Sequence, residues 1–552
     1  GRSLRGGDAS IMRWVHGRGP FSRCGIALAF LVCGCGRSSL DISAPDASPR
    51  VDARGPDAGV DASEDAGPID GALDAGFDAT VDAELDSGVD SAIDGGCIDD
   101  LALEYRWDYL SAGVVPIGNF VVADVFPGGP PEIVTAVNIR DLGHTGIHVF
   151  NVDDDRTLTI DTHREMTMEW LSWPIAADVD NDGETEIIVI GSSRNPRVAG
   201  RRRRRLAAYG PDGTLEWTFQ APEWTWGIYG SVSIADLEDD GDVELVIGST
   251  VVDGATGTLV WQGAADTSQG IGVQTYYGPH SCVGDLDGDG RQEVVAGNSV
   301  YEWDGRVRWH QPDFEDGFCG IADLIPEEPG AEVVLTTDGR ARILRSTDGE
   351  LLWVEPFEGW GRPPFGSAPT IIDFNGDGAL DVVVAGNLQT TVFDLGCGDC
   401  DPEGILRHYT HQNALGGVTA FDFNFDGAAE ILLADPSGLR ILDASGERFD
   451  TGRYQDLEHS YFGVPMVVDI DADGEAEILA RRRRPGFGHG VNFDVLTHRE
   501  HGWPGAESQR AHYAHRTGEL GERGRPATTE LMPTLRETRA FARPGMGNCI
   551  EW

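Results

Sequence analysis

Six times along the chain an aspartate is followed at alternate positions by two more oxygen-bearing side chains and then by glycine, and a fourth acid arrives at position nine. The sets are Asp178, Asp180, Asp182 with Glu186; Asp236, Glu238, Asp240 with Glu244; Asp285, Asp287, Asp289 with Glu293; Asp373, Asn375, Asp377 with Asp381; Asp422, Asn424, Asp426 with Glu430; and Asp469, Asp471, Asp473 with Glu477. Alternating carboxylates on a tight loop supply what Ca²⁺ wants: about six to eight hard oxygens at flexible distances. Positions one, three and five turn inward together, the glycine permits the sharp turn, a backbone carbonyl serves near position seven, and the ninth residue closes the set. In a calcium hand the closing glutamate comes later, on a helix. Here a Val/Ile-rich run follows, so the loop reads as one between strands. Acidic turns without metal are the alternative, since Asp, Asn and Gly favour turns for local reasons. A turn, however, does not need acids at four fixed positions, and carboxylates this close repel unless a divalent cation lies among them. The expectation is structural Ca²⁺ at up to six sites, bound with a Kd of about 10⁻⁴ to 10⁻³ M as in extracellular modules.

The loops need strands on both sides to hold them. Each copy follows an apolar run such as Ser233-Ile-Ala or Thr370-Ile-Ile, and precedes another such as Glu186-Ile-Ile-Val-Ile or Asp381-Val-Val-Val-Ala. Short valine and isoleucine runs bounded by Gly and Asp read as buried strands. Two eroded copies, opening at Asp124 and Asp323, keep the flanks and the closing Glu132 and Glu332 but lose the central acids. From Asp124 to Asp469 the seven intervals average about 49 residues, the size of a four-stranded propeller blade. Many units add a second turn, as in Asp212-Gly213 before Trp217, Asp304-Gly305 before Trp309 and Asp348-Gly349 before Trp353. Asp-Gly between alternating runs is a hairpin signal, and the recurrent tryptophan is suited to packing between blades. The fold class is therefore all-β: a propeller of four-stranded antiparallel blades over residues 101–480.

With these loops in register, and with Phe365-Gly366-Ser-Ala-Pro369 and Phe462-Gly463-Val-Pro465 beside two of them, the chain resembles the FG-GAP, or integrin-α-like, repeat propellers, including bacterial proteins of the VCBS type. The resemblance covers roughly residues 102–480. It implies a calcium-binding β-propeller. Seven blades is the integrin-like number; eight Asp-headed units stand here, and eight is the expectation.

Composition bounds the partners. The formal net charge is -50, and such a surface repels a polyanion, which excludes nucleic acid as a partner. From Met12, Arg13, Arg18 and Arg23 precede an apolar run from Gly25 to Cys33, too short to span a bilayer. The run ends in Val32-Cys33-Gly34-Cys35, which resembles the lipobox of bacterial lipoprotein signal peptides. That implies acylation of Cys35 as the mature N-terminus, residues 1–35 as the signal, and a native start at Met12. With Gly36 rather than Asp next, the resemblance implies the outer membrane or cell surface of a Gram-negative bacterium. Residues 36–100 repeat Asp-Ala-Gly and Val-Asp-Ala units with almost no aromatic residue, a disordered, self-repelling tether. Residues 481–552 form a less regular C-terminal segment, with His498, His501, Trp503, His512 and His515, placed to complete the last blade.

Beyond Cys35 the six cysteines Cys97, Cys282, Cys319, Cys397, Cys400 and Cys549 suit disulfides in an exported protein, with fifteen pairings open. Cys397 and Cys400 read as a local staple rather than a redox pair. Cys97 and Cys549 bracket the propeller. Arg201 to Arg205 and Arg481 to Arg484 read as solvated loops or as a grip for an anionic polysaccharide or lipid headgroup. His408 and His411 near Asp401 lack an orienting group at diagnostic spacing. Three functions survive: a calcium-stabilised, non-catalytic surface propeller, monomeric, binding a protein or glycan; a polysaccharide lyase on a calcium-containing propeller; and a quinoprotein-like propeller.

Overall fold

The computed structural model describes residues 103–504 except 109–113, 141, 153–155, 169–172, 193–203, 221–229, 264–269, 274–277, 360, 362–363, 397–404, 411–416, 424–426, 436–437, 451–463, 484–490 and 499–502. The expected export signal, Cys35 and the 36–100 tether lie outside these residues.

The chain forms an eight-bladed β-propeller of four-stranded antiparallel blades. Blades 1 to 7 follow the chain in order, over 114–160, 175–220, 233–262, 282–310, 318–356, 370–410 and 419–450. Blade 8 contains Met466–Val468, Glu475–Arg483 and Val491–His498 and takes its fourth strand from Leu103–Asp108, paired from Leu103 against His498 to Asp108 against Asp494. The ring is thus closed by joining the two ends of the described residues within one sheet. Two short strands extend the pattern: Thr167–Met168 pairs with Glu186–Ser192 in blade 2, and Trp503–Pro504 with Glu475–Arg483 in blade 8.

Polar side chains link the inner strands. Ser233 Oγ donates to the Ser281 carbonyl beside the first strand of blade 4 at 2.8 Å, and Thr370 Oγ1 to the Val418 carbonyl beside that of blade 7 at 3.2 Å. First strands therefore surround the axis, while fourth strands such as Leu215–Gln220 lie at the partly exposed rim. The second strands are the most deeply covered; Glu186–Ser192 is buried throughout.

Apolar side chains fill the space between blades. Ile188, Leu206 and Trp217 of blade 2 pack on Ile234, Leu245 and Val252 of blade 3. Phe120 and Phe150 of blade 1 meet Met466, Leu479 and Phe493 of blade 8, sealing the junction where the ring closes. The recurrent tryptophans lie at these interfaces, as expected. Trp217 Nε1 donates to the Gly254 carbonyl of blade 3 at 2.9 Å, Trp261 Nε1 to Trp303 O of blade 4 at 2.8 Å, and Trp309 Nε1 to Ser346 O of blade 5 at 2.7 Å. Each indole rests on a turn glycine of the next blade. A Cβ on Gly305 would stand 2.8 Å from the Trp261 ring, and one on Gly349 2.8 Å from that of Trp309. Both glycines also hold a positive φ, 83° and 73°, which side chains resist. The two halves of the Asp-Gly-to-Trp pattern therefore serve opposite neighbours.

Candidate metal centres

In every blade the acidic loop joins the first strand to the second, and one hydrogen bond recurs in all eight. The closing carboxylate accepts the backbone N–H of the residue after the first aspartate. Glu186 accepts from Val179, Glu244 from Leu237, Glu293 from Leu286, Asp381 from Phe374, Glu430 from Phe423 and Glu477 from Ile470, at 2.8–3.0 Å. The eroded loops keep it: Glu132 accepts from Val125 and Phe126, and Glu332 from Leu324 and Ile325. In the six intact loops the first aspartate also accepts the N–H of the position-six glycine, as Asp178 does from Gly183 and Asp469 from Gly474. That glycine holds φ near +90°, for example 92° at Gly183. Position four is left-handed as well, at Asn181, Asp239, Gly288, Gly376 and Ala472.

The loops are graded from inside to outside. The closing acids Glu186, Glu293, Asp381, Glu430 and Glu477 are buried and Glu244 is half-buried, while Asp180, Asp182, Glu238, Asp240, Asp287, Asp289 and Asp377 are exposed. Among the described residues, candidate ligand oxygens lie within 4.8 Å of one another in three loops: Asp178, Asp180 and Glu186; Asp285, Asp287 and Asp289; Asp469, Asp471 and Glu477. Blade 3, with Asp236, Glu238, Asp240 and Glu244, shares the same hydrogen-bond frame. In blade 6, Asp381 is fully covered and its Oδ1 has no hydrogen-bond partner, beside Asp373, Asn375 and Asp377. Asp422 and Glu430 hold their places in blade 7; Asn424 and Asp426 lie outside the described residues.

Sequence reasoning missed acids added from strands further on. Asp394, in register opposite Asp381, accepts a hydrogen bond from Asn375 Nδ2 at 2.9 Å. Glu216 of blade 2 adds its charge to those of Asp180 and Asp182. Only the pairing of the third and fourth strands brings these residues back to the loop, so no local spacing signals them.

Electrostatics follow from burial. Burial, reinforced by Asp180, Glu216 and Asp182, pushes the Glu186 carboxyl up to about 8. Burial, reinforced by Asp394, Asp377 and Asp373, does the same to Asp381, also to about 8. Glu244 rises to about 7 for the same kinds of reason. An all-oxygen donor set, a buried carboxylate oxygen without a partner and crowded like charges together fit a hard divalent cation. A pH dependence follows. In the metal-free fold the raised Glu186 and Glu244 carboxyls hold protons more tightly than they do unfolded, so the stability from protonation is full below their ordinary value of 4.5 and is lost as pH rises through about 7 to 8. Calcium should therefore raise the melting temperature more at about pH 8 than at about pH 5. Thermal scans with calcium and with chelator at both pH values test this, and equal increments would refute it.

The remaining candidates are placed as follows. Cys282 and Cys319 form a disulfide between the first strands of blades 4 and 5, with Cα atoms 6.0 Å apart. Cys97, Cys397, Cys400 and Cys549 lie outside the described residues, as do Arg201 to Arg203, Arg484, Asp401, His411, His501, His512 and His515. Arg204 and Arg205 are half-buried on the third strand of blade 2, with Arg204 bonded to Ser192 Oγ. Arg481 is buried, with Nη1 donating to Asn119 Oδ1 at 2.6 Å. It fits neither a solvated loop nor a grip for anions. His408 stands on the outer strand of blade 6, within hydrogen-bond reach of Gln389 and Thr391. Trp503 packs edge-on against Phe423, with ring centroids 5.0 Å apart.

No family model and no curated protein matches the chain. Among solved structures it is similar to the biofilm matrix protein Bap1 of V. cholerae, with a TM-score of 0.60 and 14% identity over 80% of this chain and 100% of that one. A rhamnogalacturonan lyase of Bacillus licheniformis aligns with a TM-score of 0.49 and 13% identity, over 80% of this chain and 79% of that one. At these identities the likeness to Bap1 is one of fold.

Proposed function

We propose that the protein is a calcium-stabilised, non-catalytic adhesion propeller of the FG-GAP kind, held at the cell surface by a lipid on Cys35 and recognising a protein or glycan. One observation carries the reading. The closing carboxylate is tied to the same backbone N–H in all eight blades, including the two without central acids, so the acidic loops belong to the framework. Asp178, Asp180, Asp182 and Glu186, and their counterparts in blades 3, 6, 7 and 8, would hold the ion, which cancels their mutual repulsion and fixes the hairpin. Recognition then falls to the segments that differ between blades. A fold shared with a biofilm matrix protein supports an adhesive role, and the net charge of -50 favours partners other than polyanions.

The test is a glycan and protein array probed with the purified chain in calcium and in chelator, followed by a lyase assay on acidic polysaccharides. Saturable, calcium-dependent binding with the ligand left intact is the expected result. Calcium-dependent cleavage of a glycosidic bond would replace adhesion with catalysis.

A further inference from the structure

The six intact loops are not equivalent, and blade 4 differs for a reason that lies outside its hexapeptide. Arg308, on the fourth strand of that blade, extends back over the loop. Its Nη2 lies 2.9 Å from Asp287 Oδ2, 2.9 Å from Glu293 Oε1 and 3.0 Å from Glu302 Oε2, and its Nε donates to Glu302 Oε1 at 3.0 Å. One guanidinium thus bridges positions three and nine, two of the four acids of that loop. The side chain is only 10% exposed, and the fork-shaped pairing with Glu302 fixes its direction.

The ligand geometry shifts accordingly. In blades 2 and 8 the converging acids are positions one, three and nine; in blade 4 they are positions one, three and five, without Glu293. The register supplies a natural comparison. Arg308 sits in the bulge between Val307 and Trp309, and Glu216 occupies the same bulge between Leu215 and Trp217 in blade 2. At one structural position, one blade therefore adds a cation to its loop and another adds an acid. In the eroded loop of blade 5 an arginine comes instead from the third strand: Arg345 pairs with Glu328 through Nε at 2.7 Å and Nη2 at 3.1 Å.

We infer that Arg308 is the resident cation of the blade 4 loop, so that Asp285, Asp287, Asp289 and Glu293 are held without calcium while the blade 2 loop, whose bulge carries Glu216, takes the ion. This rests on the calcium reading of the blade 2 loop. Desolvated acids need a counter-charge, and a guanidinium between Asp287 and Glu293 both supplies it and fills the space a divalent ion would use.

The experiment counts calcium ions per chain by equilibrium dialysis against calcium alone, on the full chain and on variants shown to be folded by circular dichroism. Asp180→Asn in blade 2 should lower the count by one, whereas Asp287→Asn in blade 4 should leave it unchanged. Arg308→Val, which places in blade 4 the residue that Val260 is in blade 3, should raise the count by one; Arg308→Lys should not. A count that falls by one in Asp287→Asn overturns the inference even if the arginine variants do not fold, because that exposed position is tested with Arg308 in place. An unchanged count in folded Arg308→Val overturns it as well. If neither the parent chain nor any variant binds calcium, the calcium reading itself fails and takes this inference with it.

Discussion

Chelation should lower the melting temperature of the purified chain by about 5–10 °C, and returned calcium should restore it. At about 10 mM free ion and a Kd of about 10⁻⁴ to 10⁻³ M, each occupied loop contributes about 1.4–2.7 kcal/mol through mass action. Occupation of only three of the loops in blades 2, 3, 6, 7 and 8 would already contribute about 4–8 kcal/mol, which spreads over a large unfolding entropy in a domain of this size. Magnesium should do far less, because it demands tighter octahedral geometry and gives up water reluctantly. Scanning calorimetry in calcium, magnesium and chelator measures all three. A melting curve indifferent to chelation, from a chain that dialyses free of metal, would remove calcium from the account. The acidic hairpins would then be stabilised by protons and arginines alone.

Removing the closing strand should do more damage than removing the ions. Deletion through residue 108 takes away Leu103–Asp108, leaves Val491–His498 as an open edge and breaks the ladder that joins the ends of the ring. Lost ladder bonds at about 1 kcal/mol each come to about 4–5 kcal/mol before any loss of packing. The exposed edge also becomes a template for intermolecular pairing. The shortened chain should aggregate, or melt at least about 10 °C lower, whereas deletion through residue 100 should leave the melting temperature unchanged. Light scattering and thermal scans of the two deletions distinguish these outcomes. Equal stability of the two would mean that the ring holds by side-chain packing between blades 8 and 1 alone.

The parts of this structure that were legible in the sequence are those whose cause is local. An aspartate, a glycine five residues on and an acid at position nine describe one hairpin completely, and its six intact copies with two eroded ones led to both the blade count and the eight loops. Residues that reach the loops across strands were not legible. Asp394, Glu216 and Arg308 lie roughly twenty to forty residues past the first aspartate of their loops, and strand register and a bulge decide where they point. Leu103–Asp108 was hidden for the same reason, since its partner is almost four hundred residues away. The pairing of Cys282 with Cys319 needed the neighbouring first strands of blades 4 and 5 to be known first. Arg481 reads as part of a charged run, yet the second strand of blade 8 carries it inward to Asn119.

The seating of each tryptophan on the next blade's turn glycine also bears on how such a chain can be rearranged. Trp261 and Gly305 come from different repeats, as do Trp309 and Gly349. A repeat therefore has a plug on one side and a socket on the other, and the joint belongs to the boundary rather than to the unit. Blades 3 and 4 carry matching plugs and sockets, so one could replace the other at the tryptophan joints, while the Cys282–Cys319 bond ties blade 4 to blade 5 in addition. A duplication that inserts one more such repeat would find both its joints already made. Change within the ring is then easiest by whole units in this arc, and hardest at blade 8, which is assembled from strands almost four hundred residues apart.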